Sequence, residues 1–252
     1  MLKAILLDLD NTLILYDELK YYKAYFKQLN EFFGEEMPPE ELKERVLKGT
    51  MALGRNKGEK TNLECFLEVF ADGLDVDTAF LWERFMDFYR EVYDGIRVAV
   101  TVPDGLQDGL ARLRQNGLKL VIASNPIFPV LAQQKRMRWG GIDPGWFDLF
   151  THMENMRYVK PRTDYFHQAC NMIGHAPGDC MMVGNDPVND MAAGKAGLKT
   201  YRTTDAEVID YASLTLTDAQ RKKGPREIPR PDHEGPFSGV AAVVEKLLAG
   251  KN

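Results

Sequence analysis

An α/β fold, a parallel sheet covered by helices on both faces with a helical insertion after its first strand, is predicted by three features of the sequence. Short, uninterrupted apolar runs recur along the chain, as in strands buried on both faces. Amphipathic helical stretches separate those runs. A long region from Asp17 to about Tyr93 carries helical periodicity and no convincing strand.

The first run, Lys3 to Leu9, is apolar and ends among acidic residues. Similar runs follow at Leu118 to Ala123, Cys180 to Val183 and Leu198 to Tyr201, with a weaker one at Phe147 to Thr151. Between them Asp104 to Asn116 reads as a helix stopped by Gly117. Asp164 to Ile173 and Asp190 to Ala196 read as two more, the former capped by Thr163. Such alternation predicts a Rossmann-like parallel sheet. In the insertion, Leu19, Tyr22, Phe26, Leu29 and Phe33 form one helical stripe, and Leu81, Phe85, Phe88 and Val92 another. Pro38 and Pro39 suit the start of a helix running towards Leu53. Arg221 to Pro236 reads as an extended loop and Ser238 to Ala249 as a final helix. The predicted division is a core of residues 1–15 and 97–252 with a helical insertion of residues 16–96.

The 252 residues include 32 basic and 37 acidic side chains, a formal net charge of −5. That balance provides no general attraction to nucleic acid or to an anionic membrane. Cys65, Cys170 and Cys180 are too widely spaced for a zinc pattern and are expected to be reduced thiols. Asp8 and Asp10 interrupt the apolar start, so no signal peptide is read there, and no apolar run is long enough for a membrane helix. A cytoplasmic protein is expected.

The chemistry-bearing residues gather where strands should end, which is where parallel sheets bind ligands. Asp8 and Asp10 follow the first run in LLDLDNTL. Two such carboxylates are costly without compensation, and Mg²⁺, which favours hard oxygen ligands, would supply it. Ser124 and Asn125 follow the second run, where a hydroxyl and a backbone N–H can meet phosphate oxygen. Lys160 precedes Pro161, which biases it towards extended backbone. Asn185, Asp186 and Asp190 follow the fourth apolar run in GNDPVND.

This ordered set resembles the haloacid dehalogenase-like hydrolase superfamily. LLDLDNTL is similar to its first motif, VIASN to the second, Lys160 with Pro161 to the third, and GNDPVND to the fourth. The resemblance runs from Lys3 to about Tyr201, and the helical insertion is similar to the family's C1-type cap. It implies Asp8 as a nucleophile that forms an aspartyl-phosphate, and Asp10 as general acid and then base. Burial and a neighbouring carboxylate are expected to help Asp10 hold its proton. Ser124 and Lys160 would neutralise phosphoryl oxygens. Thr12 would add a hydroxyl, and Asn11 and Asn125 backbone N–H groups. Mg²⁺ would be held by Asp8, the carbonyl of Asp10 and Asp186. Many relatives carry an acidic residue where this chain has Asn185. Asp186 is therefore the expected ligand, with Asn185 and Asp190 in support, Asp190 through water or by orienting Lys160.

The paired Asp8 and Asp10 favour hydrolysis of a small phosphomonoester, with a phosphomutase or a non-catalytic binding protein on the same scaffold as alternatives. A dinucleotide oxidoreductase would need a GxGxxG turn after the first strand, and DLDNTL stands there. The expected partner is a small phosphorylated metabolite, and the expected assembly is a monomer or homodimer.

Overall fold

The computed structural model describes residues 1–96, 98–206 and 229–250, so residue 97 at the expected boundary and the first half of the expected 221–236 loop lie outside the described residues. Its sheet has six strands: β1 (Ala4–Leu7), β2 (Lys119–Ile122), β3 (Leu149–Phe150), β4 (Cys180–Gly184), β5 (Lys199–Thr203) and β6 (His233–Gly235). Their order is β3-β2-β1-β4-β5-β6, and every neighbouring pair is parallel. Five strands coincide with the predicted runs.

β6 was not foreseen. It is a three-residue edge strand between Pro231 and Pro236, inside the stretch read as loop. A short edge tolerates flanking prolines because one side needs no ladder bonds.

Alternation in the central strands separates two cores, as period-two geometry requires. Ile5, Leu7, Leu120, Ile122, Met181 and Val183 face one side. They pack on helices α5 (Leu106–Gln115) and, near the end of the chain, Val240–Leu248. Ala4, Leu6, Val121, Ala123, Cys180 and Met182 face the other. They meet Tyr165, Phe166 and Ala169 of α7 (Thr163–Met172) and the 3₁₀ segment Met191–Ala196. All four residues of β1 are completely buried. Full burial of one large aliphatic side chain contributes about 1.5–3 kcal/mol, so β1 is a firm base for charged residues placed directly after it.

Four helices follow β1: α1 (Glu18–Phe33), α2 (Pro39–Leu53), α3 (Asn62–Phe70) and α4 (Thr78–Asp87), the last continuing into a π turn at Phe88–Val92. Asp17 caps α1 through Lys20 N (3.0 Å), Thr61 and Glu64 form a reciprocal capping box on α3, and Asp77 caps α4. These helices share a third apolar cluster with Phe128, Ala132, Met153 and Val159.

The buried stripe of α1 is Tyr21, Tyr25, Leu29 and Phe33: the predicted Leu29 and Phe33 hold, Tyr21 and Tyr25 take the place of Tyr22 and Phe26, and Leu19 is 56% exposed. Two adjacent rows of α1 are apolar, so period alone does not choose between them. The chosen row lets the buried phenols pair, Tyr21 with Tyr93 (2.6 Å) and Tyr25 with Tyr89 (3.0 Å). Thr163 is the first helical residue of α7 rather than its cap, and Arg162 takes the cap position without a side-chain bond. Between β2 and β3 lies α6 (Val130–Trp139), which the sequence reading did not single out. The terminal helix is α8 (Val240–Leu248). Cys170 and Cys180 are buried, Cys65 is half-buried, and all three are free. No helix among the described residues is long and apolar enough to cross a membrane.

Candidate active site

The carboxyl ends of β1, β2 and β4 surround a cavity of about 240 Å³. Its wall includes Asp8, Asp10, Ser124, Asn125, Lys160 and Asp190, with Asn185 and Asp186 beside them. The four motifs read in the sequence therefore meet at one place.

Asp8 continues β1, its N–H donating to Val183 O (2.9 Å). The chain then reverses. Leu13 N and Ile14 N both donate to Leu9 O (2.9 and 3.1 Å), and Asn11 takes the left-handed conformation at φ 58°. Asparagine tolerates that region better than most residues because its short polar side chain bonds locally. Here Asn11 Oδ1 accepts from Tyr16 N (3.2 Å), and Asn11 Nδ2 donates to Glu18 Oε1 (2.5 Å).

Two sequence expectations change at this turn. The Asn11 N–H donates to Ile14 O (2.7 Å) instead of facing the cavity. The Thr12 hydroxyl accepts from Asn185 N (3.1 Å) and lies 3.2 Å from Asn185 Oδ1 and 3.5 Å from Asp8 Oδ2. Neither residue is on the cavity wall. Thr12 ties the first motif to the fourth through Asn185, and Asn11 ties the turn to Tyr16 and to Glu18 of α1.

Lys160 is 4% exposed and bridges two carboxylates, donating to Asp8 Oδ1 (2.9 Å) and Asp190 Oδ1 (2.6 Å). Its own N–H donates to Asn125 Oδ1 (3.2 Å), tying the second motif to the third. Ser124 is placed through its carbonyl, which accepts from Thr151 Oγ1 (2.8 Å) and Tyr165 OH (3.0 Å). Asp190 Oδ2 accepts from Asp186 N (2.9 Å). Asp186 curls onto its own loop: Oδ1 accepts from Val188 N (2.7 Å) and Asn189 N (2.8 Å), and Oδ2 from Asn189 Nδ2 (2.7 Å).

Burial pushes the Asp8 carboxyl well above its usual range, against the pull of Lys160, with the charges of Asp190 and Asp10 adding to the rise. Burial likewise raises Asp190, again opposed by Lys160. Burial pulls the Lys160 ammonium down, but the charges of Asp190 and Asp8 outweigh it and hold it above its ordinary value. These directions pull against one another, since carboxylates driven towards neutrality sit beside an ammonium held charged. We read the triad as one cation shared by two acids, short of positive charge.

Residues that the sequence reading missed hold Asp10. Tyr16 OH donates to Asp10 Oδ1 (2.8 Å), and Arg136 Nε lies 3.2 Å from the same oxygen, an ion pair rather than an aligned hydrogen bond. Arg136 comes from α6, is completely buried, and donates through Nη1 to Tyr21 OH and Tyr93 OH (3.1 Å each). Phe128 covers its guanidinium at 4.7 Å. Nothing in QQKRMRW distinguishes this arginine from its exposed neighbour Arg138. Glu18 and Tyr22 of α1 and the loop residues Ile127 and Phe128 complete much of the wall.

Residues 2–197 match the family model of the haloacid dehalogenase-like hydrolases. The chain belongs to that family. Among curated relatives it is 40% identical to human N-acylneuraminate-9-phosphatase over 55 residues, 21% of this chain and 22% of that protein. It is 27% identical to the pyrophosphatase PpaX of Halalkalibacterium halodurans over 160 residues, 62% of this chain and 68% of that one. Among solved structures, the putative hydrolase YfnB of Bacillus subtilis, bound to magnesium, superposes with a TM-score of 0.51 at 20% identity. That match covers 96% of this chain and 98% of the other, and supports the fold. The matched span, residues 2–197, contains all four of the motifs that meet at the cavity.

Proposed function

We propose that this hydrolase cleaves a small phosphomonoester through a phosphorylated Asp8. The observation that carries the reading is the pair Asp8 and Asp10 on one cavity wall, each held by its own cation: Asp8 by Lys160 at 2.9 Å and Asp10 by Arg136 at 3.2 Å. Two carboxylates in distinct settings can divide nucleophilic and proton-transfer work.

In the first step Asp8 attacks phosphorus, an Asp8 oxygen–phosphorus bond forms, and the bond to the alcohol breaks. Asp10 gives its proton to the departing alkoxide. In the second step Asp10 takes a proton from water as that water attacks phosphorus, which releases inorganic phosphate and restores Asp8. Ser124 and Lys160 offset charge on the phosphoryl oxygens. The Asp10 side chain is 25% exposed, so water can approach it, which favours hydrolysis over a phosphomutase that must keep water out.

The donor set fits Mg²⁺. Asp8, Asp10, Glu18, Asp186 and Asp190 line the cavity against the single ammonium of Lys160, and burial drives Asp8 and Asp190 upward even beside it. Asp8, the carbonyl of Asp10 and Asp186 would hold the ion, with Asn185 and Asp190 supporting. Asp186 has three of its roughly four acceptor sites already engaged. Among the described residues no three acidic, histidine or cysteine side chains are already arranged round a metal. When bound, Mg²⁺ would neutralise charge developing on the phosphoryl group. Helices α1 to α4, within residues 16–96, would act as the cap that admits the substrate.

The test is phosphate release from small phosphomonoesters, with and without chelator. Release should vanish in EDTA and return with added Mg²⁺. Full activity in chelator would remove the metal from the mechanism.

A further inference from the structure

The part of the cavity wall away from the strand ends has a charge pattern that phosphoryl transfer does not require. Glu18, Tyr22, Ile127 and Phe128 form it, and none is cationic. Lys160 is the only cationic side chain on the wall among the described residues, and its ammonium is committed to Asp8 and Asp190. Arg136 stands behind Asp10, completely buried and off the wall. The basic residues Arg55, Lys57 and Lys60 of the insertion are exposed and also off the wall, and Lys60 pairs with Glu68 at 2.7 Å. Among the described residues, the wall offers no uncommitted cationic side chain for a second anionic group on the substrate.

Glu18 goes further and opposes one. It is half-buried in the wall, and its hydrogen bond comes from the neutral amide of Asn11. Burial, then the charge of Asp10, pushes its carboxyl up to about 7. A carboxylate in this setting gains from a donor on the ligand and repels a like charge. Tyr22, Ile127 and Phe128 beside it give an apolar surface of the kind that binding pockets use for bulk.

We infer that Glu18 is a specificity-determining residue: the substrate is a phosphomonoester whose leaving alcohol carries no negative charge, offers a hydroxyl or ammonium donor to Glu18, and lies against Tyr22, Ile127 and Phe128. The inference rests on the phosphatase reading above. It excludes carboxylate-bearing and pyrophosphate-type leaving groups as preferred substrates.

The experiment compares three phosphate esters of similar length at about pH 8, where Glu18 is ionised. They are ethanolamine phosphate, ethylene glycol monophosphate and phosphoglycolate. Each is measured as kcat/KM, or as inhibition of p-nitrophenyl phosphate hydrolysis where it is not itself turned over. The wild-type protein should favour one or both of the first two over phosphoglycolate by at least about tenfold, and Glu18→Gln should shrink that ratio several-fold. A lead for the ethanolamine ester identifies the donor as ammonium, and a lead for the glycol ester identifies it as hydroxyl. Equal or better use of phosphoglycolate by the wild type, or a ratio unmoved in Glu18→Gln, overturns this inference while leaving a phosphatase. Failure to release phosphate from any ester, p-nitrophenyl phosphate included, overturns both.

Discussion

Lys160 shares one positive charge between two buried acids, Asp8 at 2.9 Å and Asp190 at 2.6 Å, with its side chain only 1% exposed. Removing one partner of such a group leaves charge buried without compensation, which costs about 3–5 kcal/mol. Lys160→Met should therefore lower unfolding stability by an amount of that order in urea titration, and should abolish measurable turnover. A variant as stable as the wild type would mean that Asp8 and Asp190 do not depend on this cation. Asp8 was legible because it stands at the end of an apolar run, whereas Lys160 and Asp190 were legible only as members of the ordered four-motif set that resembles the family. Arg136 was not legible. A buried arginine is defined by what it touches, and its partners Asp10, Tyr21 and Tyr93 come from three separate parts of the chain.

At the scale of elements, β4 and α6 make the clearest demands. β4 ends at Gly184, where an added Cβ would overlap the Asp190 carboxylate. Gly184→Ala should displace Asp190 from Lys160 and lower turnover by at least about tenfold, measured by steady-state kinetics alongside thermal unfolding. Unchanged turnover would show that Asp190 need not sit where it does. α6 carries Arg136 from beside β2 to Asp10 and to the phenols of α1 and the segment after the π turn. Arg136→Met should reduce kcat about tenfold or more with little change in KM, because in the proposed mechanism the group it holds would transfer a proton rather than bind substrate. A loss of stability with kcat intact would make the arginine structural only. β1, β2 and β4 were the clearest of the five strands found by sequence, because burial on both faces makes them largely continuous apolar runs, while β3 and β5 gave weaker signals. β6 gave no such signal, since an edge strand of His, Glu and Gly buries little. α1 was recognised as a helix with Leu29 and Phe33 on its buried face, but its first half was read one row away, because its aromatic residues there occupy two neighbouring rows and the Tyr21–Tyr93 and Tyr25–Tyr89 bonds favour one of them.

For the whole molecule, the sheet collects four distant motifs at the carboxyl ends of its central strands, and α1 to α4 stand beside them with their own apolar cluster. The acid-rich cavity is where the proposed Mg²⁺ would act, and the mildly acidic chain, net −5, provides no general attraction to a polyanionic partner. The central claim is that phosphorus is transferred to Asp8. The most direct measurement is acid quenching during turnover with Mg²⁺, followed by mass spectrometry of the peptide containing Asp8, beside the Asp8→Asn protein. The account predicts a phosphoryl group on Asp8 in the wild type and none in Asp8→Asn, whose turnover should fall by about three orders of magnitude, roughly 4 kcal/mol of barrier. Steady turnover with no label on Asp8, or near-wild-type turnover in the folded Asp8→Asn protein, would contradict it.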